Sequence, residues 1–210
     1  METYLTEEER LEALGRWWKA NKSSATWGVI LGLMVVLGWK LWQGHLNERA
    51  AQASTTYLQF VEAVKANQDE AALTLSDRLV KDYAATTYAD YVRLMTARIK
   101  VKAGDLEGAA KVLEAELKDG KDEAVKPVAR LRLGRIYLAS GQYDAALKLV
   151  DPNLIKTSGA FQSLLEEVRG DSLLALKRPT EARAAYAAAK SLGNPSPLLE
   201  LKLNDLPQGG

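Results

Sequence analysis

Few side chains in this sequence have the chemistry of a catalytic or metal-binding site. The 210 residues contain one histidine, His45, and no cysteine, which excludes disulfide bonds, thiolate chemistry and metal centres built on several imidazoles. A Ser-His-Asp arrangement would have to use His45, which we interpret as an interfacial or solvent-facing side chain. Glu166 and Glu167 are adjacent and would point to different sides of a helix, as is typical of a solvated face. The sequence therefore predicts no enzyme and no cofactor.

Two glycines in an apolar stretch, Gly28 and Gly32, have the spacing at which a second membrane helix can approach closely. They do not belong to a phosphate-binding loop, because no Lys-Ser pair follows them. Glycine is also common in membrane helices in general. Two interpretations of this pair stay open: a helix-packing site, or no specific role.

The balance of charge limits the function classes further. The chain has 28 basic and 27 acidic residues, and its formal net charge is +1. A nucleic-acid partner would require a basic stripe, which a chain this balanced does not predict. The sequence contains no motif for a small-molecule substrate. We therefore expect the protein to act through contacts with other proteins.

Residues 23–43 are predicted to form a single transmembrane helix. The 17 residues between Lys22 and Lys40 carry no charge. At ~1.5 Å per residue, and with the ammonium group of Lys40 reaching back to the interface, this stretch covers a hydrocarbon core of about 30 Å. Tryptophan prefers the headgroup level. Three of the five tryptophans lie near the ends of the stretch: Trp27, Trp39 and Trp42.

Two alternatives to a membrane anchor are disfavoured by the sequence. A buried core helix is disfavoured because everything after residue 44 reads as a self-sufficient soluble domain. A cleaved signal peptide would use the A-x-A sequence at 51–53, which lies beyond the charged residues Lys40, Glu48 and Arg49. We therefore interpret the apolar stretch as an uncleaved anchor.

The basic residues that flank the stretch predict its orientation. Four precede it and two follow it, which places residues 1–22 in the cytoplasm and residues 44–210 on the opposite side of the membrane. These residues are Arg10, Arg16, Lys19 and Lys22 on one side, and Lys40 and Arg49 on the other. For residues 1–22 themselves, two interpretations stay open: a helix on the inner membrane face, and an extension of the transmembrane helix.

The rest of the chain is rich in alanine, leucine and charged residues, which predicts an all-α domain. Short breaks in the helical pattern at 66–69, 103–106, 140–143 and 176–179 recur every 36 or 37 residues, the period of a helical solenoid. An alanine follows each break at the same offset, where a small side chain allows two helices to pack closely. These alanines are Ala72, Ala109, Ala146 and Ala182.

The breaks predict about four helix pairs and a C-terminal capping helix. The expected pairs are 46–66 with 69–82, 88–103 with 106–118, 123–139 with 143–150, and 160–176 with 179–191. Ser196 and Pro197 are expected to begin a capping helix at 198–206, which covers the apolar end of the array.

The third pair reads Leu133-Gly134-Arg135-Ile136-Tyr137, followed by Gly141, Tyr143 and Ala146. This run resembles the tetratricopeptide repeat, in which L-G-x-x-Y is followed by glycine, an aromatic residue and alanine. The first repeat matches weakly, and the fourth has Lys177 in place of the turn glycine, which leaves the geometry of that turn open.

The first helices of the pairs are expected to form a concave surface that recognises an extended peptide or a partner helix. With Gly134 as the register, equivalent offsets place a mixture of apolar and charged side chains on this surface. The candidate groove residues are Tyr57, Val61, Tyr91, Leu94, Arg98, Leu131, Arg135, Leu138, Glu167 and Asp171. Ordinary helix packing is the alternative role of each.

The N-terminal block METYLTEEERLEALGRWWKAN, the anchor GVILG with GWKLW, and the late sequences VRGD and EAR together resemble the YfgM-type family of ancillary SecYEG translocon subunits. The resemblance implies a single-pass inner-membrane protein of Gram-negative bacteria with a periplasmic repeat domain at 44–210. It also implies association with SecYEG and with the membrane-anchored periplasmic chaperone PpiD, transfer of exported polypeptides to periplasmic chaperones, and no catalytic residues.

The function hypothesis is a membrane-tethered adapter. The residues alone leave two alternative functions open: a cytoplasm-facing repeat scaffold with other partners, and an envelope enzyme that uses a surface carboxylate.

Overall fold

The computed structural model describes residues 7–153, 160–193 and 196–206, which form nine α-helices and no strand. The helices are α1 (Glu7–Lys65), α2 (Asp69–Asp82), α3 (Thr87–Lys102), α4 (Leu106–Asp119), α5 (Lys126–Ala139), α6 (Tyr143–Leu149), α7 (Ala160–Ala175), α8 (Pro179–Ser191) and α9 (Leu199–Asn204). The all-α class is confirmed, and the predicted helix pairs are observed with shifts of a few residues at their ends, except that the first helix begins at Glu7 and not at residue 46.

Helix α1 is continuous, and Gly44 does not interrupt it. Contacts divide the chain into one unit that ends at Ala51 and another that begins at Gln52. From Glu7 onward, the N-terminal segment is helical and runs without a break into the apolar stretch, as the second of its two interpretations expects. The predicted boundary between residues 43 and 44 lies inside α1.

Between Trp27 and Trp42, α1 exposes large apolar side chains along most of its length. Val29, Val35 and Leu41 are 63%, 66% and 76% exposed, and Trp27 and Trp39 are similarly open. Within Thr26–Lys65, α1 is long and apolar enough to cross a membrane, and it is the one such helix among the described residues. This length and exposed apolar surface fit a hydrocarbon solvent, since a water-exposed helix would be expected to carry a polar face.

The four turns between paired helices share one hydrogen-bond geometry. In each turn a backbone N–H donates to the carbonyl oxygen five residues earlier, which is the longer bond of a Schellman motif. The donors are Gln68, Asp105, Gln142 and Arg178, and their N···O distances are 2.9, 2.9, 2.8 and 2.9 Å.

The residue before each donor has a positive φ. Gly104 and Gly141 have φ values of 82° and 73°, and Asn67 and Lys177 adopt 54° and 60° without being glycine. The turn of the fourth repeat is therefore retained despite Lys177.

Small residues allow close packing inside the pairs, as predicted. The four repeat alanines, Ala72, Ala109, Ala146 and Ala182, are fully buried. A side chain at Gly134 would lie 2.9 Å from Cγ1 of Val168, and one at Gly170 would overlap the ring of Tyr186. An added Cβ atom at either glycine would force a side chain of the neighbouring helix to move.

The capping helix is shorter than predicted and uses only part of its apolar face. It begins at Leu199 instead of residue 198, and Leu199 and Leu206 are buried in a cluster with Tyr186 of α8. Leu198 and Leu201, which were expected on the apolar face, are 59% and 57% exposed. Ser196 does not cap α9, because its side chain is engaged elsewhere, as described below.

Candidate functional site

The structure places the ten predicted groove residues in three environments. Tyr91, Arg98 and Arg135 are exposed; Tyr57, Val61, Leu138 and Asp171 are half-buried; Leu94, Leu131 and Glu167 are buried. Leu94 packs in the core between α3, α4 and α5, and Leu131 packs against Val150, Leu165 and Val168. Only the exposed and half-buried members have surface to offer a partner.

The first repeat contributes mainly packing. The ring of Tyr57 lies 5.2 Å from that of Tyr88, a tilted pair that joins α1 to α3. Val61 lies against the same core cluster, beside Phe60. These contacts support the junction between the first two repeats and leave the charged part of the predicted groove to α3 and α5.

Two predicted residues, Arg98 and Arg135, come together at one cavity of about 350 Å³ between α3 and α5. Its interior is apolar, with α4 contributing two leucines. The lining consists of Ala97, Arg98, Val101, Leu106, Leu113, Arg132, Arg135, Ile136 and Ala139. The volume is at the lower end of the ~300–1,000 Å³ typical of ligand pockets, which leaves room for one or two side chains of a partner.

Arg132 is the one charged lining residue that is absent from the predicted groove. It lies three residues before Arg135 and therefore on the same face of α5, a spacing that could have identified it. Its Nη1 donates to the carbonyl oxygen of Leu94 at 2.9 Å, which links α5 to α3. Burial, and then the positive charge of Arg98, lower the pKa of the Arg132 guanidinium.

The cavity therefore carries three positive charges at an apolar interior. Within the described part of the chain, Arg98 and Arg135 have no ion pair and no side-chain hydrogen bond, and both guanidinium groups are exposed to solvent. By contrast, the nearby Lys100 pairs with Asp105 at 2.9 Å. The arrangement can accept carboxylates together with apolar side chains.

In the fourth repeat, the equivalent positions are covered by the chain itself. Glu167 accepts hydrogen bonds from the backbone N–H and the hydroxyl of Ser196, the latter at 2.6 Å. Asp171 accepts from Oη of Tyr186 at 2.6 Å and from Nζ of Lys202 at 2.7 Å. Burial raises the pKa of Tyr186, and the carboxylate of Asp171 raises it further. This end of the predicted groove faces the C-terminal segment.

The prediction that Glu166 and Glu167 form a solvated face is wrong. They are 7% and 4% exposed, and Glu166 pairs with Arg169 at 3.1 Å. The partner of Glu167, Ser196, is 29 residues away in the sequence, so local spacing could not reveal it. Among the described residues, no group of three or more His, Cys, Asp or Glu side chains could hold a metal ion.

The helix pairs, their shared turns and their 36- or 37-residue period define a tetratricopeptide repeat-like domain, joined to a candidate membrane span. A family model described as "Tetratricopeptide repeat-like domain" matches residues 15–208. The chain belongs to this family, and specifically to its branch of ancillary SecYEG translocon subunits, as its relatives show.

Three such relatives carry the name "Ancillary SecYEG translocon subunit". The protein of Escherichia coli (strain K12) is 33% identical over 98% of this chain and 99% of its own. That of Haemophilus influenzae is 28% identical over 96% and 98%. That of Neisseria gonorrhoeae is 28% identical over 98% and 100%. Among solved structures, one of MamA is similar with a TM-score of 0.45 and 21% identity, over 66% of this chain and 77% of that one.

Proposed function

We propose that this chain is a membrane-anchored adapter that associates with the SecYEG translocon and presents its repeat domain to proteins at the periplasmic side. The observation that carries the proposal is the pairing, in one chain, of an exposed apolar helix with a repeat domain that has its own buried cores. The names of the full-length relatives supply the translocon as the partner.

The anchor makes weak binding sufficient. Tethering beside the translocon exit raises the effective concentration of the repeat domain to the millimolar range for a short linker. Even micromolar affinity for a chaperone such as PpiD, or for an exported polypeptide, would then give substantial occupancy. The adapter hands exported chains to periplasmic chaperones through these contacts.

The membrane helix supplies the second surface of the adapter. A Cβ atom added at Gly28 or Gly32 would meet nothing within 4 Å, so this side of α1 is open to a close helix neighbour. We assign this glycine pair to the contact with a membrane helix of the translocon.

Site-specific photo-crosslinking in cells tests both surfaces. Probes replace Gly32 in the span and Tyr91, which is 45% exposed, on the repeat domain; exposed Lys148 on α6 is the control position. Leu131 is unsuitable for a probe because it is buried. Adducts with translocon subunits from Gly32, and with a chaperone or exported chains from Tyr91, are expected. Adducts no stronger than those from Lys148 at both sites would contradict the proposal.

The periplasmic orientation has a separate test, which distinguishes it from a cytoplasm-facing scaffold. The chain has no cysteine, so one introduced at Gly210 reports its position without background. We expect a membrane-impermeant thiol reagent to label Gly210→Cys in intact spheroplasts. Labelling that requires lysis would place the domain in the cytoplasm.

A further inference from the structure

We propose that the cavity between α3 and α5 binds an acidic protein segment that inserts an apolar side chain between carboxylates. The inference rests on the proposed function and names the chemistry of the partner at one site. We call this site the arginine cavity, and define it by Arg98, Arg132, Arg135, Val101, Leu113 and Ile136.

The charges of the arginine cavity call for an anionic partner. Like charges repel: after burial, the positive charge of Arg98 is the second cause that lowers the pKa of Arg132. No carboxylate of the described residues forms an ion pair with Arg98 or Arg135, although acidic and basic residues are almost equal in number in the chain. A partner carboxylate would satisfy the planar donors of a guanidinium two at a time and relieve this repulsion.

The apolar interior calls for more than a small anion. A free phosphate or carboxylate would leave the exposed side chains of Val101 and Ala139 uncovered at the mouth of a cavity of about 350 Å³, whereas Leu113 and Ile136 are buried in the core beneath them. An inserted leucine-sized side chain would remove that apolar surface from water, which is favourable. The site therefore fits a peptide that carries both kinds of group.

The fourth repeat gives an internal example of the same mode of docking with the charges reversed. Arg98, Arg135 and Asp171 occupy equivalent register positions, 37 and 36 residues apart. At the last position the chain supplies its own ligand: Lys202 of α9 pairs with Asp171 at 2.7 Å, and Leu199 of the same helix is buried. A segment that docks at the arginine cavity would carry acid in place of Lys202.

The test measures peptide binding by the full chain in nanodiscs of zwitterionic phosphatidylcholine. Three fluorescent peptides share one length: one alternates glutamate with leucine, one replaces leucine with serine, and one replaces glutamate with lysine. We expect only the glutamate-leucine peptide to bind, with an affinity that falls as salt screens the charges. Equal binding of the lysine peptide, or no binding of the glutamate-leucine peptide, would overturn the inference.

Variants assign the binding to the arginine cavity. Arg98→Gln with Arg135→Gln is expected to weaken the glutamate-leucine peptide by about tenfold or more, as expected for lost charge-assisted hydrogen bonds. The charge-matched control is Lys118→Gln with Lys148→Gln, two exposed residues on other helices, and it should bind as the parent does. An equal loss in the control would show that net charge alone is responsible.

A third variant tests the apolar half of the site with all charges present. Ala139→Leu adds volume at the edge of the cavity, and we expect it to weaken the same peptide several-fold. Unchanged affinity in Ala139→Leu would overturn the insertion of an apolar side chain. Crosslinks from Gly32 and Tyr91 report on the adapter function independently, so they can persist when the acidic-peptide inference fails.

Discussion

Nζ of Lys202 lies 2.7 Å from Oδ2 of Asp171, and this ion pair joins the C-terminal helix α9 to α7. The same ammonium group lies 5.9 Å from the ring centroid of Tyr186, whose hydroxyl donates to Oδ1 of Asp171. One lysine thus contacts both helices of the last repeat. This arrangement closes the array, whose final apolar face would otherwise meet water.

Removal of Lys202 is therefore expected to loosen α9. Lys202→Gln should destabilise the local closed state by about 1 kcal/mol, because the lost ion pair is only 29% exposed on each side. Hydrogen exchange of residues 199–206 should accelerate roughly fivefold. The control is Lys190→Gln, which removes the exposed pair of Lys190 with Glu200 between α8 and α9 and should change exchange little. Equal acceleration in both variants would contradict the special role of Lys202.

The sequence predicted the fold because its signals are local and repeated. Four breaks at a constant period, each followed by alanine, were enough to place eight of the helix boundaries near the turns. The resemblance to known repeats and to a translocon-associated family added what the residues alone could not give: the family itself.

Contacts between distant parts of the chain could not be predicted in this way. The burial of Glu167 depends on Ser196, and that of Leu131 depends on Val150, which follows α6, and on Val168 of α7. The register taken from the third repeat assumes that the first helix of every pair has the same surroundings. It therefore placed Glu167 and Asp171 on a groove, although the C-terminal segment, through Ser196 and Lys202, contacts both of them. Of the three arginines at the arginine cavity, the register placed Arg98 and Arg135 on the predicted groove and left out Arg132.

Close helix packing makes Gly170 sensitive to substitution. A Cβ atom in Gly170→Ala would overlap the ring of Tyr186, which is fully buried and held by Asp171, so the ring cannot easily move. We expect a loss of about 1–3 kcal/mol in the free energy of unfolding. Urea denaturation followed by far-UV circular dichroism measures it, since all five tryptophans lie in the first 42 residues and do not report on this domain.

Gly134→Ala provides the graded comparison for Gly170. There the added Cβ would lie 2.9 Å from a methyl group of Val168, a side chain that can shift by a few tenths of an ångström. A smaller loss than that of Gly170→Ala is expected. If Gly134→Ala is the more damaging of the two, the Tyr186 ring is not the rigid element.

The turns offer a stabilising substitution. Lys177 adopts a φ of 60°, a conformation that costs a non-glycine residue roughly 1 kcal/mol, whereas Gly141 has a φ of 73° at the equivalent turn. Lys177→Gly is expected to raise the free energy of unfolding by about 0.5–1 kcal/mol, and Gly141→Ala to lower it by a similar amount. Denaturation of the two variants beside the parent checks both signs. A loss of stability in Lys177→Gly would show that the entropy of the unfolded chain outweighs the relieved strain.

A buried charge cluster in the second repeat makes stability depend on pH. Nη1 of Arg93 lies 3.1 Å from Oδ1 of Asp90 and 3.1 Å from Oε2 of Glu116, so two carboxylates share one guanidinium in the interior. Oδ2 of Asp90 also accepts from the backbone N–H groups of Lys121 and Asp122, whereas Oε1 of Glu116 has no hydrogen-bond partner. Burial, and then the charge of Asp90, raise the pKa of Glu116 above its usual value of 4.5, although Arg93 opposes the shift.

The sign of the pH dependence follows from that raised pKa. The folded state holds a proton on Glu116 more tightly than the unfolded state, so this group favours folding below pH 4.5 and loses that contribution as pH rises through its folded pKa. Glu116→Gln resembles the protonated acid at every pH and leaves Arg93 paired with Asp90. We therefore expect it to match the parent at low pH and to be more stable near neutral pH, with a gap that widens between the two pKa values. Parallel urea titrations from about pH 4 to about pH 8, a range set by the usual carboxyl pKa and neutrality, measure the gap.

Asp90→Ala is the opposing control for Glu116→Gln. It should lower the free energy of unfolding by about 3 kcal/mol or more, because it removes the carboxylate that holds both Arg93 and two backbone N–H groups. A Glu116→Gln variant that is less stable than the parent at neutral pH would mean that the ionised carboxylate supports the cluster.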